Sequence, residues 1–409
     1  MISFISCYNL IKPNQFGFQR NKCTADAILE FLESVCDSFN ENKHYLAIFL
    51  DFSKAFDTIS HSILLRKIEH MGFRGPINQW INSYLTNRNQ FVAIGESCSV
   101  VQDCKMGVPQ GSTLGPLLFI LYINDMCNML TTLNGLHFAD DSTLHTYFNK
   151  NINIAPEINI ELSAVATWLI SNKLYLNIDK TKYMIFSLKD TPPDLNLIIG
   201  NAQIQRTSVQ KFLGVHIDDR LTFGEHTNKI STQISRSVGV MRRMRQIVPR
   251  DVLRQLFYAF IYSKYTYAIT CYGSAYQNQV QRLKNLIGRA LKLVLNTDTI
   301  TAELCKTHQI FDFDISYKYF CCINMYKILS LNTHERLAIK INSFQTDHSH
   351  ETRASYNHIL SLPFYRLSKC QRSFLYNGIK FWNELPIALR NIEENLKAFK
   401  ILLKQWLLS

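Results

Sequence analysis

"GLHFADDSTLHT" spans residues 135–146, and its reading decides the fold. Asp140 and Asp141 stand side by side, with apolar and aromatic residues before them and a Thr-Leu-His-Thr run after. Adjacent carboxylates repel, and acids are poor strand formers. The flanks still read as strands, "LHFAD" (136–140) and "STLHTYF" (142–148), with the acid pair between them. A hairpin turn welcomes Asp on its own account. The pair is therefore either ordinary turn chemistry or a site that needs two carboxylates.

Upstream, "HYLAIFLD" (44–51) is a continuous apolar run ending in Asp51, which predicts a buried strand. "TADAILEFLESVCDSF" (24–39) has helical spacing through Ile28, Leu32, Val35 and Phe39. "SHSILLRKIEHMG" (60–72) predicts a helix with Ser60 as N-cap and Gly72 just past its end. Pro76 opens another helix. "QFVAIGESCSVVQDCKM" (90–106) predicts a hairpin turning near Gly95-Glu96, and "GVPQGST" after it predicts a loop. "TLGPLLFILYINDM" (113–126) reads as a buried helix capped by Ser112 or Thr113. A helix through Leu162, Val165, Trp168 and Leu169 follows the acid pair, then strands near "KYMIFS" (182–187) and "QKFLGVHID" (210–218). Strands alternating with helices, two segments being hairpins, point to an α+β layer with helices on one face of an antiparallel or mixed sheet. Beyond 219 the periodicity is mostly helical, with loops around Asp347–His350.

The chain has 409 residues, 47% of them hydrophobic and 19% charged, as expected for two or three well-packed domains. No window of eighteen apolar residues suggests a membrane span. The apolar N-terminus lacks a basic n-region and a small-residue cleavage site, and eleven scattered cysteines read as reduced thiols. An intracellular place, nucleus or cytoplasm, is expected. Net charge is +12, and residues 219–300 hold thirteen Lys or Arg against four Asp or Glu. "MRRMRQIVPR" (241–250), with Arg242, Arg243, Arg245 and Arg250, is the densest part. It reads either as a surface for a phosphate backbone or as a solvated helix face.

If the strands ending at Asp51 and Asp140 are neighbours, three carboxylates meet at one end of the sheet. Crowded carboxylates are stable when protonated or bound to a cation. Oxygen-only ligands select hard ions, and Mg²⁺ held by a few carboxylates commonly meets substrate phosphates.

The company the acids keep is specific. "FLDFSKAFDTISH" (49–61), "GVPQGSTLGPLLFILYINDM" (107–126), "FADDST" (138–143), "LNIDKTKYMIF" (176–186) and "KFLGVHID" (211–218) stand in one ordered series. In order and rough spacing they resemble a reverse transcriptase of the non-LTR (LINE-type) retrotransposon group, closest to the jockey-like elements of arthropods. "NQFGFQRNKCTADAI" (14–28) resembles the fingers motif of that group, and "TRASYNHILSLPFYRLSKCQRSFLYNGIKFWNELP" (352–386) its C-terminal extension.

The resemblance implies a right-hand polymerase: partial fingers and a palm with an antiparallel sheet over 1–218, a basic helical thumb over 219–300, and a helical extension over 301–409. It implies RNA-directed DNA synthesis with two Mg²⁺ ions, Mn²⁺ being a possible substitute. Asp51 and Asp140 would bind both ions, Asp141 would support them, and Phe52 would offer its backbone carbonyl. Phe56 matches the aromatic that bars a 2′-OH, with core packing as its other reading. Gln110 and Gly111 match the turn that meets the incoming nucleotide or the template. Lys180 matches the residue thought to protonate departing pyrophosphate; Lys182 and a plain solvated lysine compete with it. Phe212, Leu213 and Gly214 match the primer grip. Asp57 reads as a cap or acceptor for the following helix.

The implied partners are an RNA template, a DNA primer, the RNA–DNA duplex and a dNTP, with no membrane; the oligomeric state is open. The 19–23 block departs from the family pattern: Gln19 stands at the Arg place with Arg20 beside it, Asn21 replaces Gly and Cys23 replaces Ser. Family chains also begin earlier, so an N-terminally truncated copy is expected. The alternative function is an inactive remnant that binds nucleic acid.

Overall fold

The structure, a computed structural model, describes residues 1–188, 192–331, 333–343, 359–393 and 395–409. The loop expected at Asp347–His350 and the first residues of the C-terminal block, 352–358, lie outside the described residues. Two compact units form: Met1–Cys23 with His44–Thr207, and Thr24–Lys43 with Ser208–Ser409. Helix α1 (Thr24–Asn40) thus belongs to the second unit although strand β1 (His44–Leu50) follows it directly.

In the first unit all seven residues of β1 are buried, as its unbroken apolar run requires. Helices α2 (His61–His70), α3 (Pro76–Leu85) and α4 (Gly115–Ile123) precede a hairpin of β2 (Asn134–Phe138) and β3 (Asp141–Phe148). Helix α5 (Ala155–Ser171) leads to β4 (Lys182–Phe186) and the short β5 (Gln205–Arg206). The sheet order is β5-β4-β1-β3-β2; β1 runs antiparallel to both neighbours, and β5 lies parallel to β4. Ile48 pairs with Leu144 on one side and Tyr183 on the other. These face a core with Leu64 of α2, Ile81 of α3, Phe119 of α4 and Val165 of α5.

The hairpin at 90–106 forms as read, Ala93-Ile94 pairing with Ser97-Cys98 around Gly95 at φ +60°. Two local expectations need correction. Asp141 does not lie between strands but opens β3, paired with Phe138. Ser60 occupies the N-cap position of α2 without making a side-chain cap bond; its Oγ lies 3.2 Å from Ser62 Oγ instead.

Glu161 of α5 is buried beneath the loop that enters β2. Its Oε1 accepts from the Thr131 N–H (3.0 Å), the Thr131 hydroxyl (2.7 Å) and the Thr132 N–H (2.6 Å). Its Oε2 accepts from the Leu133 N–H (2.9 Å). Burial pushes this carboxyl up, but the four donors outweigh it and hold it below the ordinary range.

The second unit is mostly helical, as its periodicity predicts. The "QKFLGVHID" run is not one strand. It is a tight hairpin, β6 (Val209–Phe212) and β7 (Val215–Asp218), turning through Leu213 (φ +45°) and Gly214 (φ +87°). Helix α6 (Gly224–Met244) packs on α7 (Gln277–Leu295). Helix α8 (Phe313–Leu331) packs on α9 (Phe374–Asn383) and α10 (Leu396–Leu408). The acids of α1 explain its membership. Asp26 Oδ1 lies 3.2 Å from His334 Nε2, Arg336 Nη1 lies 3.2 Å from Glu30 Oε1, and the Leu375 N–H donates to Glu33 Oε1 at 2.9 Å. Glu33 is raised by burial, with the Lys340 charge opposing. Among the described residues no helix is long and apolar enough to cross a membrane.

Candidate active site

Asp51 follows β1 directly, and Asp140 sits in the turn between β2 and β3. The β1–β3 register ends at Leu50 opposite Ser142, so one further step sets Asp51 opposite Asp141. Three carboxylates therefore gather at one end of the sheet. The Asp140 carboxyl is raised, first by partial removal from water and then by the like charge of Asp51. Solvent still reaches Asp140 and Asp141.

The backbone around Asp51 is tightly held. Its N–H donates to Thr181 Oγ1 (3.3 Å) and its carbonyl accepts from Asn177 N–H (2.8 Å). Phe52, with a buried ring, pairs along the backbone with Leu176, and Ser53 N–H donates to Tyr175 carbonyl (2.8 Å). This seam carries Lys180, whose Nζ lies 3.8 Å from Asp51 Oδ2. Lys182 instead donates to Gln205 Oε1 at 2.6 Å, on the neighbouring strand.

The turn Ala139-Asp140 has Ala139 at φ +56°, a conformation that alanine adopts only under outside constraint. Next to it His137 is buried, with Nδ1 2.9 Å from Ser142 Oγ and Nε2 3.0 Å from Cys127 Sγ. Burial, with the Lys12 charge adding, pushes this imidazole down to about 4, and burial pushes the Cys127 thiol up to about 11. The Ser142 contact links β2 to β3, and the Cys127 contact ties β2 to the 126–129 turn.

Phe56 stacks on Phe119 at 4.5 Å between ring centroids and takes the edge of Phe18 at 6.4 Å. It is half-buried, so packing holds one face while solvent still reaches part of the ring. Gln110 Nε2 donates to Asp57 Oδ1 at 2.9 Å. Asp57 thus accepts from Gln110 rather than capping α2. Gly111 has φ +76°, and Gly107 has φ +84° where a Cβ would come within 2.8 Å of the Asp57 carbonyl oxygen. Gln110, Asp57, Lys54, Arg88 and Lys105 line a cleft of about 610 Å³.

Lys22 is committed to the protein: it donates to the Pro13 carbonyl (2.6 Å) and the Gln15 carbonyl (3.1 Å) over the Phe16 ring. Arg20 is exposed.

In the second unit, Phe212, Leu213 and Gly214 form the β6–β7 turn. Phe212 packs against Phe31, and the Leu213 carbonyl accepts from the Tyr267 hydroxyl. Arg242, Arg243, Arg245 and Arg250 are all exposed. Among the described residues none of the four takes part in an ion pair, and Arg245 donates to Asn296 Oδ1. The residue types thus leave that surface positive.

Among the described residues no three His, Cys, Asp or Glu side chains stand arranged as a complete ion cage. Asp51 and Asp140 still fit a hard divalent cation. They are oxygen donors whose charges repel, and Mg²⁺ is commonly held by one or two carboxylates completed by water and substrate phosphate.

The acids thus stand on adjacent strand ends of a mainly antiparallel sheet with helices packed behind it. Residues 1–217 match the reverse transcriptase (RNA-dependent DNA polymerase) family, and the chain belongs to it. Members of the family generally use divalent metal ions. The chain is 27% identical over 303 residues to the probable RNA-directed DNA polymerase from transposon BS of Drosophila melanogaster, covering 70% of this chain and 33% of that one. It is 24% identical to the RNA-directed DNA polymerase from mobile element jockey of Drosophila funebris, covering 68% of this chain and 31% of that one. The chain spans about a third of the length of the curated relatives it matches. Apo telomerase from Candida tropicalis aligns with a TM-score of 0.42 at 13% identity, covering 99% of this chain and 59% of that one.

Proposed function

We propose that this chain is the RNA-directed DNA polymerase part of a non-LTR retrotransposon protein. The observation that carries the reading is the meeting of Asp51 and Asp140 at one sheet end, where partial removal from water, and then the charge of Asp51, raise the Asp140 carboxyl. In this reading 1–218 is partial fingers and palm, 219–300 thumb, and 301–409 a helical extension.

A primer 3′-oxygen bonds to the α-phosphorus of a dNTP, the bond to the pyrophosphate oxygen breaks, and the 3′ proton leaves to solvent. Two Mg²⁺ ions, or Mn²⁺ in their place, would supply when bound the charge that makes the 3′-OH acidic and the pyrophosphate a good leaving group. Asp51 and Asp140 would hold those ions, with Asp141 and the Phe52 carbonyl in support. Lys180, already beside Asp51, is the proton donor to the departing pyrophosphate; the geometry favours it over Lys182, which is bonded to Gln205. Phe56 lies against the deoxyribose, and Gln110 exchanges Asp57 for the nucleotide or template. Phe212, Leu213 and Gly214 hold the primer end. The exposed arginines of 242–250 track the RNA–DNA duplex through phosphates. The protein works inside the cell.

A second reading, nucleic-acid binding without synthesis, is favoured by one observation: Lys22 is spent on its own loop while Gln19 stands at the Arg place. One preparation separates the two. With a primed RNA template, dNTPs and Mg²⁺, the wild type extends the primer and Asp140→Ala does not. Salt-sensitive duplex binding without incorporation establishes the second reading instead.

A further inference from the structure

The turn that presents Asp140 carries Ala139 at φ +56° and is closed on one side by the Phe138–Asp141 pair of the β2–β3 ladder. Segment 14–17 holds it from the other. Gln15 pairs alongside His137 as a parallel extra edge of β2. Phe16 N–H donates to the His137 carbonyl (2.7 Å), His137 N–H to the Asn14 carbonyl (2.9 Å), and the Asn14 side chain to the Gly135 carbonyl (2.8 Å). Gln15 is buried, 3% exposed. Its Oε1 accepts from Gly17 N–H at 2.8 Å and from Ala139 N–H at 3.1 Å. Gly17 lies so close to the turn that a Cβ there would come within 2.3 Å of Ala139 N.

We infer that Gln15 is a positioning residue: its side-chain carbonyl pins the Ala139 N–H and so fixes the turn that holds the Asp140 carboxylate toward Asp51. A buried N–H without an acceptor costs free energy, so the pinned turn is the low-energy state only while an acceptor stands there. Strain at Ala139 is then held by a contact from a segment more than a hundred residues away in sequence. The inference rests on reading Asp140 as a cation ligand; it needs no assumption about synthesis.

The test titrates Mn²⁺ by the free-ion EPR signal against the full chain and its variants, with a thermal melt of each. Asp140→Ala removes the site. Gln15→Met keeps the side-chain length but loses the acceptor, and weakens Mn²⁺ binding about tenfold. Gln15→Glu keeps an oxygen at that position and restores binding to within about threefold of wild type. A purely structural role would lower the melting temperature of both variants and leave the Mn²⁺ affinity of the folded fraction alone. That result, or wild-type affinity in Gln15→Met, overturns the inference. Should Gln15→Met not fold, hydrogen exchange of the wild type decides: a slowly exchanging Ala139 amide supports the pin, and one that exchanges at the rate of an open turn overturns it. A wild type that binds Mn²⁺ with Gln15 dependence yet extends no primer sinks the polymerase reading and leaves this one standing.

Discussion

Two carboxylates of the first unit stand in opposite circumstances. Glu161 is buried and has a donor for nearly every lone pair, so its carboxyl is held below its ordinary value despite burial. Asp140 is reached by solvent, yet its carboxyl is raised, because the site withdraws it partly from water and sets Asp51 nearby. A residue selected for stability looks like Glu161. A residue whose local environment opposes its charge is a functional candidate, because the missing stabilisation can come from a ligand.

The largest expected effect breaks that contrast at its functional end. Asp140→Asn lowers primer extension by about 1,000-fold or more, by loss of a cation ligand at the reacting centre. Its melting temperature stays level or rises, since a repelling charge is gone. A large loss of stability in Asp140→Asn would make Asp140 structural and void the comparison. Next in size is Glu161→Gln, which offers an amide nitrogen where N–H groups need an oxygen. It costs about 2–4 kcal/mol in urea unfolding. The pH dependence has a definite sign. The Glu161 carboxyl is lower in the folded chain than its ordinary 4.5, so its stabilisation is whole above that pH and drains away as pH falls through the folded value. The variant loses that acid-limb slope.

Much of the layer was legible because period and punctuation agree. "HYLAIFL" is buried throughout, the Gly95 hairpin forms, and helices fall at His61–His70 and Ala155–Ser171. The acids at 51, 140 and 141 were legible too, from strand ends and from ordered blocks. What escaped depends on contacts remote in sequence. Periodicity sees that α1 has an apolar stripe, but not that Asp26 and Glu33 will be buried against His334 and the Leu375 amide. Glu161 reads as one polar residue beside an apolar stripe until the 131–133 loop closes on it. Gln15 was visible in "NQFG", but its task needs the Ala139 turn beside it. The Leu213-Gly214 turn hid inside an apolar run because Leu, not Asn or Asp, takes the left-handed place.

Lys180 sharpens the contrast from the cationic side. Its side chain is 69% exposed and its ammonium lies 3.8 Å from Asp51, a geometry worth little to stability. Lys180→Met should leave the urea midpoint within about 0.5 kcal/mol of wild type. Extension should fall about 100-fold as a proton donor is lost. Lys182→Met, whose partner is Gln205, should leave the rate near wild type. Equal losses in the two variants would assign the effect to general charge rather than to a placed acid.

The smallest effect is the most discriminating. If the raised carboxyl of Asp140 marks a charge short of water and facing Asp51, and so awaiting a cation, then Mg²⁺ binds the folded chain better than the unfolded one and stabilises it by mass action. At a concentration some ten times its dissociation constant the gain is about 1.4 kcal/mol, or roughly 1–2 °C in the melting temperature of a chain this size. The sign of the pH response follows. Because the folded Asp140 carboxyl is higher than its ordinary 3.8, the folded chain holds its proton longer. The repulsion is relieved as pH falls through that value and is fully present above it. The Mg²⁺ shift should therefore be greatest near neutrality and fade on acidification. Asp140→Asn should abolish it, while Glu161→Gln, whose carboxyl already had its partners, should show the shift undiminished from a lower starting point. A Mg²⁺ shift that survives in Asp140→Asn would mean that the ion stabilises the chain somewhere other than the end of this sheet.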